Sequence, residues 1–272
     1  MKKTIVFIHG AWMTPLCWEN YVAYFEEKGY RCLAPPWPYR DKPIDVLRTH
    51  PPTELAGLGV REIVDHYGTF IRALGEPPIL IGHSFGGLFV QLLLDRGLGS
   101  AGVAIHPAPP RGVIPQQWSA IKENAGVLLQ CGAWKKIVHL SFKQFQYAFV
   151  NTMGVDAQKQ AYERFVVPET GRIFFQAALA LMDTQSPVRV DFANRTRSPL
   201  LLIAGSADHI VPARVNRSNM KKFLHAEART DFKEFPGRTH WTIAQDGWEE
   251  VASYISQWLG SLDTHNKHQT SS

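Results

Sequence analysis

Short β-branched apolar runs alternate with longer amphipathic ones along most of this chain, and that rhythm restricts the fold more than any other feature. "TIVFIHG" leads to "CWENYVAYFEEKGY", "RCLAPPW" to "LGVREIVDHYGTFIRALG", and "PPILIGHS" to "GGLFVQLLLDRG". Strands alternating with helices build βαβ units, and strands with consecutive apolar residues suit a parallel sheet covered on both faces. A further strand, "AGVAIHPAP", closes this half. Over 111–196 the rhythm stops: "QQWSAIKENAGVLLQ", "SFKQFQYAFVNTM", "DAQKQAYERFVV" and "RIFFQAALALMD" read as helices, and no strand is predicted. It resumes with "LLLIAGSAD", a helix over 212–224, the strand "TDFKEFPG" and a last helix "GWEEVASYISQWLGSL". The expected fold class is α/β: a mostly parallel, doubly wound sheet from 1–110 and 197–262, an inserted helical cap at 111–196, and a polar, disordered tail at 263–272.

Composition agrees with a folded chain, since 45% of the 272 residues are hydrophobic and can fill a full core. The 29 Lys and Arg outnumber the 24 Asp and Glu, but they are scattered in ones and twos. Without a concentrated basic face, nucleic acid is not an expected partner. Cys17, Cys32 and Cys131 show no CxxC spacing and cannot all pair within one chain, which argues against a metal or redox site and for a reducing compartment. "MKKTIVFIHGAW" begins like a signal peptide, yet its apolar stretch ends at Ile8 with no cleavage site after it. No apolar run is long enough to span a membrane, and the expected location is cytoplasmic.

The segment "GHSFGG" sets Ser84 between Gly82 and Gly86, the GxSxG pattern of a nucleophile elbow. Such a turn strains the serine backbone and crowds the positions two before and two after it, where only glycine avoids a collision. The helix that follows aims its amino terminus at the serine, which favours a developing anion. A serine hydroxyl needs a base and a carboxylate to orient that base. Of the eleven histidines, His240 in "EFPGRTHWTIAQ" lies in the loop between the last strand and the last helix. Asp208, in "LLLIAGSADHIVP", follows the preceding strand. Ser84, Asp208 and His240 would therefore meet at the carboxyl ends of parallel strands, where functional groups of such sheets gather. An oxyanion needs two N–H donors: Phe85 N–H supplies one, and Ala11 N–H in "IHGAWM" the other, with Trp12 N–H as the alternative. His9 is expected to hold that loop by hydrogen bonds. His83, next to the serine, is expected to point away from it. Trp12 and Trp241 flank the proposed centre, and His106 in "AIHPAPPRG" is a candidate substrate contact, with a plain loop role as the alternative.

Taken in order, "FIHGAW", "GHSFGG", "GSADHIVP" and "PGRTHW" resemble the α/β-hydrolase superfamily, in particular its small cofactor-free serine esterases and their perhydrolase (haloperoxidase-like) relatives. The resemblance implies a Ser84–His240–Asp208 triad, a cap inserted in the sheet, and no metal or organic cofactor. The early start at the strand before "HG" implies a sheet lacking the first two strands of the full fold. The expected activity is hydrolysis of carboxylic esters of a small to medium apolar or aromatic substrate through an acyl-enzyme on Ser84. The cap's aromatic residues, among them Trp118, Phe149 and Phe174, are candidates for its pocket. Two alternatives use the same scaffold: a carbon–carbon bond hydrolase or lyase, for which Lys135, Lys136 or Lys143 would hold the leaving anion, and a ligand-binding receptor.

Overall fold

The computed structural model describes residues 2–113, 132–224 and 226–269. Six strands form its central sheet: β1 (Thr4–Ile8), β2 (Arg31–Leu33), β3 (Ile79–His83), β4 (Ala101–Ile105), and, beyond the cap strands β5 (Ile137–Val138) and β6 (Glu169–Thr170), β7 (Leu200–Gly205) and β8 (Thr230–Phe235). They lie in the order β2-β1-β3-β4-β7-β8, and every neighbouring pair is parallel. This is the doubly wound α/β core with inserted helices that the alternation predicts.

The side-chain period of two divides each strand between two apolar layers. Ile5 and Phe7 of β1 pack with Tyr21 and Phe25 of α1 (Glu19–Glu27) and with Val251, Ile255 and Trp258 of the last helix, α9 (Trp248–Gln269). Val6 and Ile8 pack on the other face, with Ile63 and Tyr67 of α3 (Val60–Ala73) and Leu88 and Phe89 of α4 (Phe85–Asp95). Between these runs lie α2 (Ile44–Thr49), which lacks a long apolar period, and later α8 (Ala213–Lys222). Because α1 and α4 cover opposite faces, the chain leaves β1 and β3 in opposite directions. The crevice between those two exits is where doubly wound sheets bind ligands.

The cap contains α5 (Phe142–Ala148), α6 (Val155–Phe165) and α7 (Arg172–Ala178). A capping box between Ser141 and Gln144 starts α5. Among the described residues the cap shares the core of the sheet: Phe145, Phe149 and Phe165 join the α1–α9 layer, and Ile173 and Phe174 join the α3–α4 layer. Two findings differ from the sequence reading. β5 and β6 form an antiparallel pair inside the cap, where no strand is predicted; at two residues each they are too short to show an alternation. The last helix also runs past Leu262 to Gln269, with Asp263 paired to Lys3, where a disordered tail was expected. The helix expected over "QQWSAIKENAGVLLQ", with Trp118, lies outside the described residues, as does Cys131. Among the described residues no helix is long and apolar enough to cross a membrane.

A close backbone contact in the core joins α4 to β1. A Cβ on Gly86 would lie 2.0 Å from the Ile8 carbonyl oxygen, and one on Gly82 would lie 2.2 Å from the Gly86 carbonyl oxygen. Neither neighbour is a flexible side chain that can swing aside. Gly86→Ala is therefore expected to cost about 3 kcal/mol or more, at the upper end for overpacking. Urea unfolding measures it, and a loss under about 1 kcal/mol would show that α4 can retreat from β1 cheaply.

Candidate active site

Ser84 sits between the last residue of β3 and the first of α4, with φ 57° and ψ −120°. A non-glycine residue held there stores roughly 1–3 kcal/mol of strain. Its backbone is fixed on both sides: Ser84 N–H donates to the Ile105 carbonyl at 2.9 Å, and the Ser84 carbonyl accepts from Ala108 N–H at 3.1 Å and Leu88 N–H at 3.2 Å. The loop after β1 lies directly against it, since a Cβ on Gly10 would be 2.8 Å from the Ser84 Cβ. Ser84 keeps a small opening to solvent, at 8% exposure, and stands at the amino terminus of α4.

Asp208 lies in the loop after β7 and is buried. Its Oδ1 accepts from Ile210 N–H at 2.7 Å and Val211 N–H at 2.9 Å. Its Oδ2 is shared by two imidazoles, His240 Nδ1 at 2.8 Å and His106 Nδ1 at 2.7 Å. Burial alone would push this carboxyl up, but the adjacent His240, together with hydrogen bonds from both histidines, holds it well below the usual carboxylate range. An ionised carboxylate only accepts, so both Nδ1 atoms carry protons. In neutral His240 the lone pair is then on Nε2, which is buried and has no hydrogen-bond partner among the described residues. Burial lowers the His106 pKa despite its bond to Asp208, so this ring is a neutral donor.

His83 belongs to the same cluster, which sequence reasoning missed. Its ring lies 4.8 Å from that of His240, and its Nε2 donates to the His240 carbonyl at 2.7 Å. Burial and the two neighbouring histidines push its pKa far down, so it is a neutral tether on the backbone of His240. The only sequence signal was its place beside Ser84. His106, expected near a pocket, is instead fully buried at the end of β4 with Asp208 as its partner. Trp241 is also buried, its ring 6.2 Å from that of Phe145 and 5.1 Å from that of Phe165. Among the described residues, His106, Asp208 and His240 are the group whose donor atoms come close enough for a metal ion, within 4.8 Å of one another. The two Nδ1–H···Oδ2 bonds already account for their short spacing.

The loop carrying Ala11 is gripped from both sides. His9 Nδ1 donates to the Gly10 carbonyl at 2.9 Å, His9 Nε2 accepts from Trp37 N–H at 3.3 Å, and the two rings stack. Burial lowers the pKa of His9 to about 3 and keeps it neutral for this double role. From the cap, Glu169 of β6 accepts Trp12 N–H at 3.1 Å, and Val167 N–H donates to the Trp12 carbonyl at 2.9 Å. Glu169 also pairs with the fully buried Arg40 guanidinium at 2.6 Å. The Trp12 indole stacks on Phe174 at 4.5 Å and meets Phe149 edge-on at 6.1 Å. Phe85 meets Phe174, and Phe149 meets His240, each at ring distances just over 5 Å. An aromatic wall from the cap thus lies over the elbow.

The model of the alpha/beta hydrolase family matches residues 5–254. No curated protein matches the chain. Among solved structures, a monoacylglycerol lipase from Paleococcus ferrophilus is 22% identical with a TM-score of 0.67, covering 95% of this chain and 94% of its own. A pyrethroid hydrolase from Sphingobium faniae is 17% identical (TM-score 0.67, 95% and 97% covered). Tomato methylketone synthase I, solved with 2-tridecanone, is 16% identical (TM-score 0.70, 96% and 99% covered). At these identities the likeness is one of fold.

Two outcomes are expected from the buried charges. Glu169→Gln leaves the Arg40 guanidinium without its counter-charge, and should cost about 3–5 kcal/mol in urea unfolding; a loss under about 1 kcal/mol would mean that Arg40 finds another partner. The pH dependence follows from His9, His83 and His106, all with native pKa values below that of an unfolded histidine, about 6.5. Below that value the unfolded chain binds protons that the native protein refuses, so stability falls as pH falls, with a limiting slope of about 1.4 kcal/mol per histidine per pH unit. Asp208, also depressed, contributes stability that persists above about pH 3.9 and is lost only at lower pH. Urea midpoints should drop steeply between pH 7 and pH 5, and a flat profile would show that these rings are charged in the fold.

Proposed function

The chain belongs to the alpha/beta hydrolase family, and from that premise we propose that it is a serine hydrolase cleaving carboxylic esters, with Ser84 as nucleophile, His240 as base and Asp208 as the carboxylate that orients that base. The observation that carries this reading is the Asp208 carboxylate on His240 Nδ1, which fixes the tautomer and leaves Nε2 free to take a proton. His240 is tied to the chain position next to the strained serine through His83. In the first step Ser84 Oγ attacks the ester carbonyl carbon as its proton passes to His240 Nε2. The oxyanion is met by Phe85 N–H, at the start of α4, and by Ala11 N–H. Trp12 N–H is occupied by Glu169, which favours Ala11 over Trp12 for this task. The alcohol departs with the proton from His240. Water, deprotonated by the same Nε2, then attacks the acyl-enzyme, and collapse of the second oxyanion releases the acid and restores Ser84.

The substrate class follows from Trp12, Phe85, Phe149 and Phe174: an apolar or aromatic ester of small to medium size. Names of structural relatives, a lipase and a pyrethroid hydrolase among them, are compatible with this class. For the carbon–carbon lyase alternative, Lys135, Lys136 and Lys143 would have to reach the leaving anion, and all three are exposed. A pure receptor would need neither the strained serine nor the buried carboxylate charge.

A panel of chromogenic esters of increasing acyl length tests the proposal on wild type, Ser84→Ala and Asp208→Asn. Wild type should turn over the shorter apolar esters and be labelled by an organophosphonate, while Ser84→Ala should do neither. Asp208→Asn should fold and lose about four orders of magnitude in kcat, because His240 loses its tautomer and charge support. An unlabelled, inactive wild type would falsify the esterase reading, and equal turnover by Ser84→Ala would remove Ser84 as nucleophile.

A further inference from the structure

Asp208 has one histidine more than a triad uses. We propose that His106 is a positioning residue for the Asp208 carboxylate: by sharing Oδ2 with His240, it holds the carboxylate in place and moderates its pull on the His240 proton, thereby setting where the acid limb of the pH–rate profile falls. The inference rests on the reading of His240 as base and Asp208 as its orienting carboxylate.

The site around His106 is built for this contact. His106 follows the last residue of β4 at φ 47°, a left-handed conformation costly for a side chain of this size, and its N–H donates to the Ile203 carbonyl at 2.8 Å. Its ring occupies the space over Gly205 of β7, where an added Cβ would lie 2.5 Å from His106 Cε1. That places the imidazole edge toward β7 and its loop. The ring is fully buried, so it is an unsuitable surface for substrate. The titratable groups around it are Asp208 from the loop after β7, His240 from the loop after β8, and His83 from the end of β3. His83 is held neutral, and the Arg238 guanidinium is turned to Glu250 and the Asp246 carbonyl. His106 is therefore the neutral donor that competes with His240 for Oδ2.

The consequence has a definite sign. Each donor on a carboxylate spreads its charge and lowers its basicity. A second imidazole N–H on Oδ2 leaves less of that charge to stabilise protonated His240. Removing the donor should strengthen the Asp208–His240 interaction electrostatically and move the acid limb of kcat/KM to higher pH by about half to one unit. The carboxylate also loses one of its four tethers, so kcat at the optimum should fall about tenfold.

The test compares wild type, His106→Leu and His106→Asn on one chromogenic ester across pH. Leucine fills similar space without a donor; asparagine tolerates positive φ and offers Nδ2 in place of Nδ1. The expected result is an acid limb displaced upward in His106→Leu and returned most of the way in His106→Asn. Superimposed limbs in all three would reduce His106 to a packing residue and overturn the proposal. If His106→Leu does not fold, wild type labelled with ¹⁵N-histidine supplies the second measurement: two strongly deshielded Nδ1–H resonances are expected near neutral pH, and only one would overturn the shared acceptor. Failure of the esterase reading looks different, as two such resonances in a protein that cleaves no ester; the control of its acid limb by His106 then falls with it.

Discussion

A buried carboxylate with both oxygens fully used organises the carboxyl edge of the central sheet. Isolated in an apolar interior, Asp208 would take up a proton, because burial penalises its charged form. It remains ionised because four donors from three parts of the chain converge on it: two backbone N–H groups of its own loop, His106 from β4, and His240 from the loop after β8. The anion dictates the tautomer of each ring, and the rings in turn keep the ends of β4, β7 and β8 in register. Electrostatics, tautomers and backbone geometry are therefore one problem with one solution here.

The second constraint is steric, and it ties the elbow to both the sheet and the cap. Gly86 allows α4 to touch the end of β1, and Gly10 lets the following loop touch Ser84. That same loop is then held by the cap through both backbone groups of Trp12, a residue itself at φ 61°. Movement of the segment 167–169 is thus coupled to the loop that carries Ala11, without any rearrangement of the sheet.

Much of this was legible in the sequence because it follows from local patterns. All six core strands and the long helices α1, α3, α4 and α9 appear as periodic apolar runs, and Gly82-x-Ser84-x-Gly86 marks the elbow through the collisions that its glycines avoid. The contact between Asp208 and His240 was readable from their places after consecutive strands of a parallel sheet. His83 and His106 were not, for a physical reason: their roles depend on where a ring points and on which lone pair its neighbour leaves free. His106 in particular looks like any polar residue after a strand until β7 is placed beside β4 with Gly205 opposite its ring. Arg40 and Glu169 are 129 positions apart and belong to no period or motif; only the folded cap brings them together.

That last pair also explains why the cap is more than a cover. A buried ion pair is seldom a net stabiliser, since desolvating two charges offsets most of their attraction and an apolar pair of similar volume often does as well. What an apolar pair cannot do is direct a backbone. Glu169 uses one oxygen on Arg40 and Trp12 N–H, and the other on Thr170 N–H at 2.8 Å, so its carboxylate is fixed in plane and in rotation. Trp12 N–H is thereby withdrawn from the site and turned toward the cap. Next to it in the chain, Ala11 carries the N–H that we propose for the oxyanion, and the charge in Glu169 is the means by which the cap sets the course of that loop.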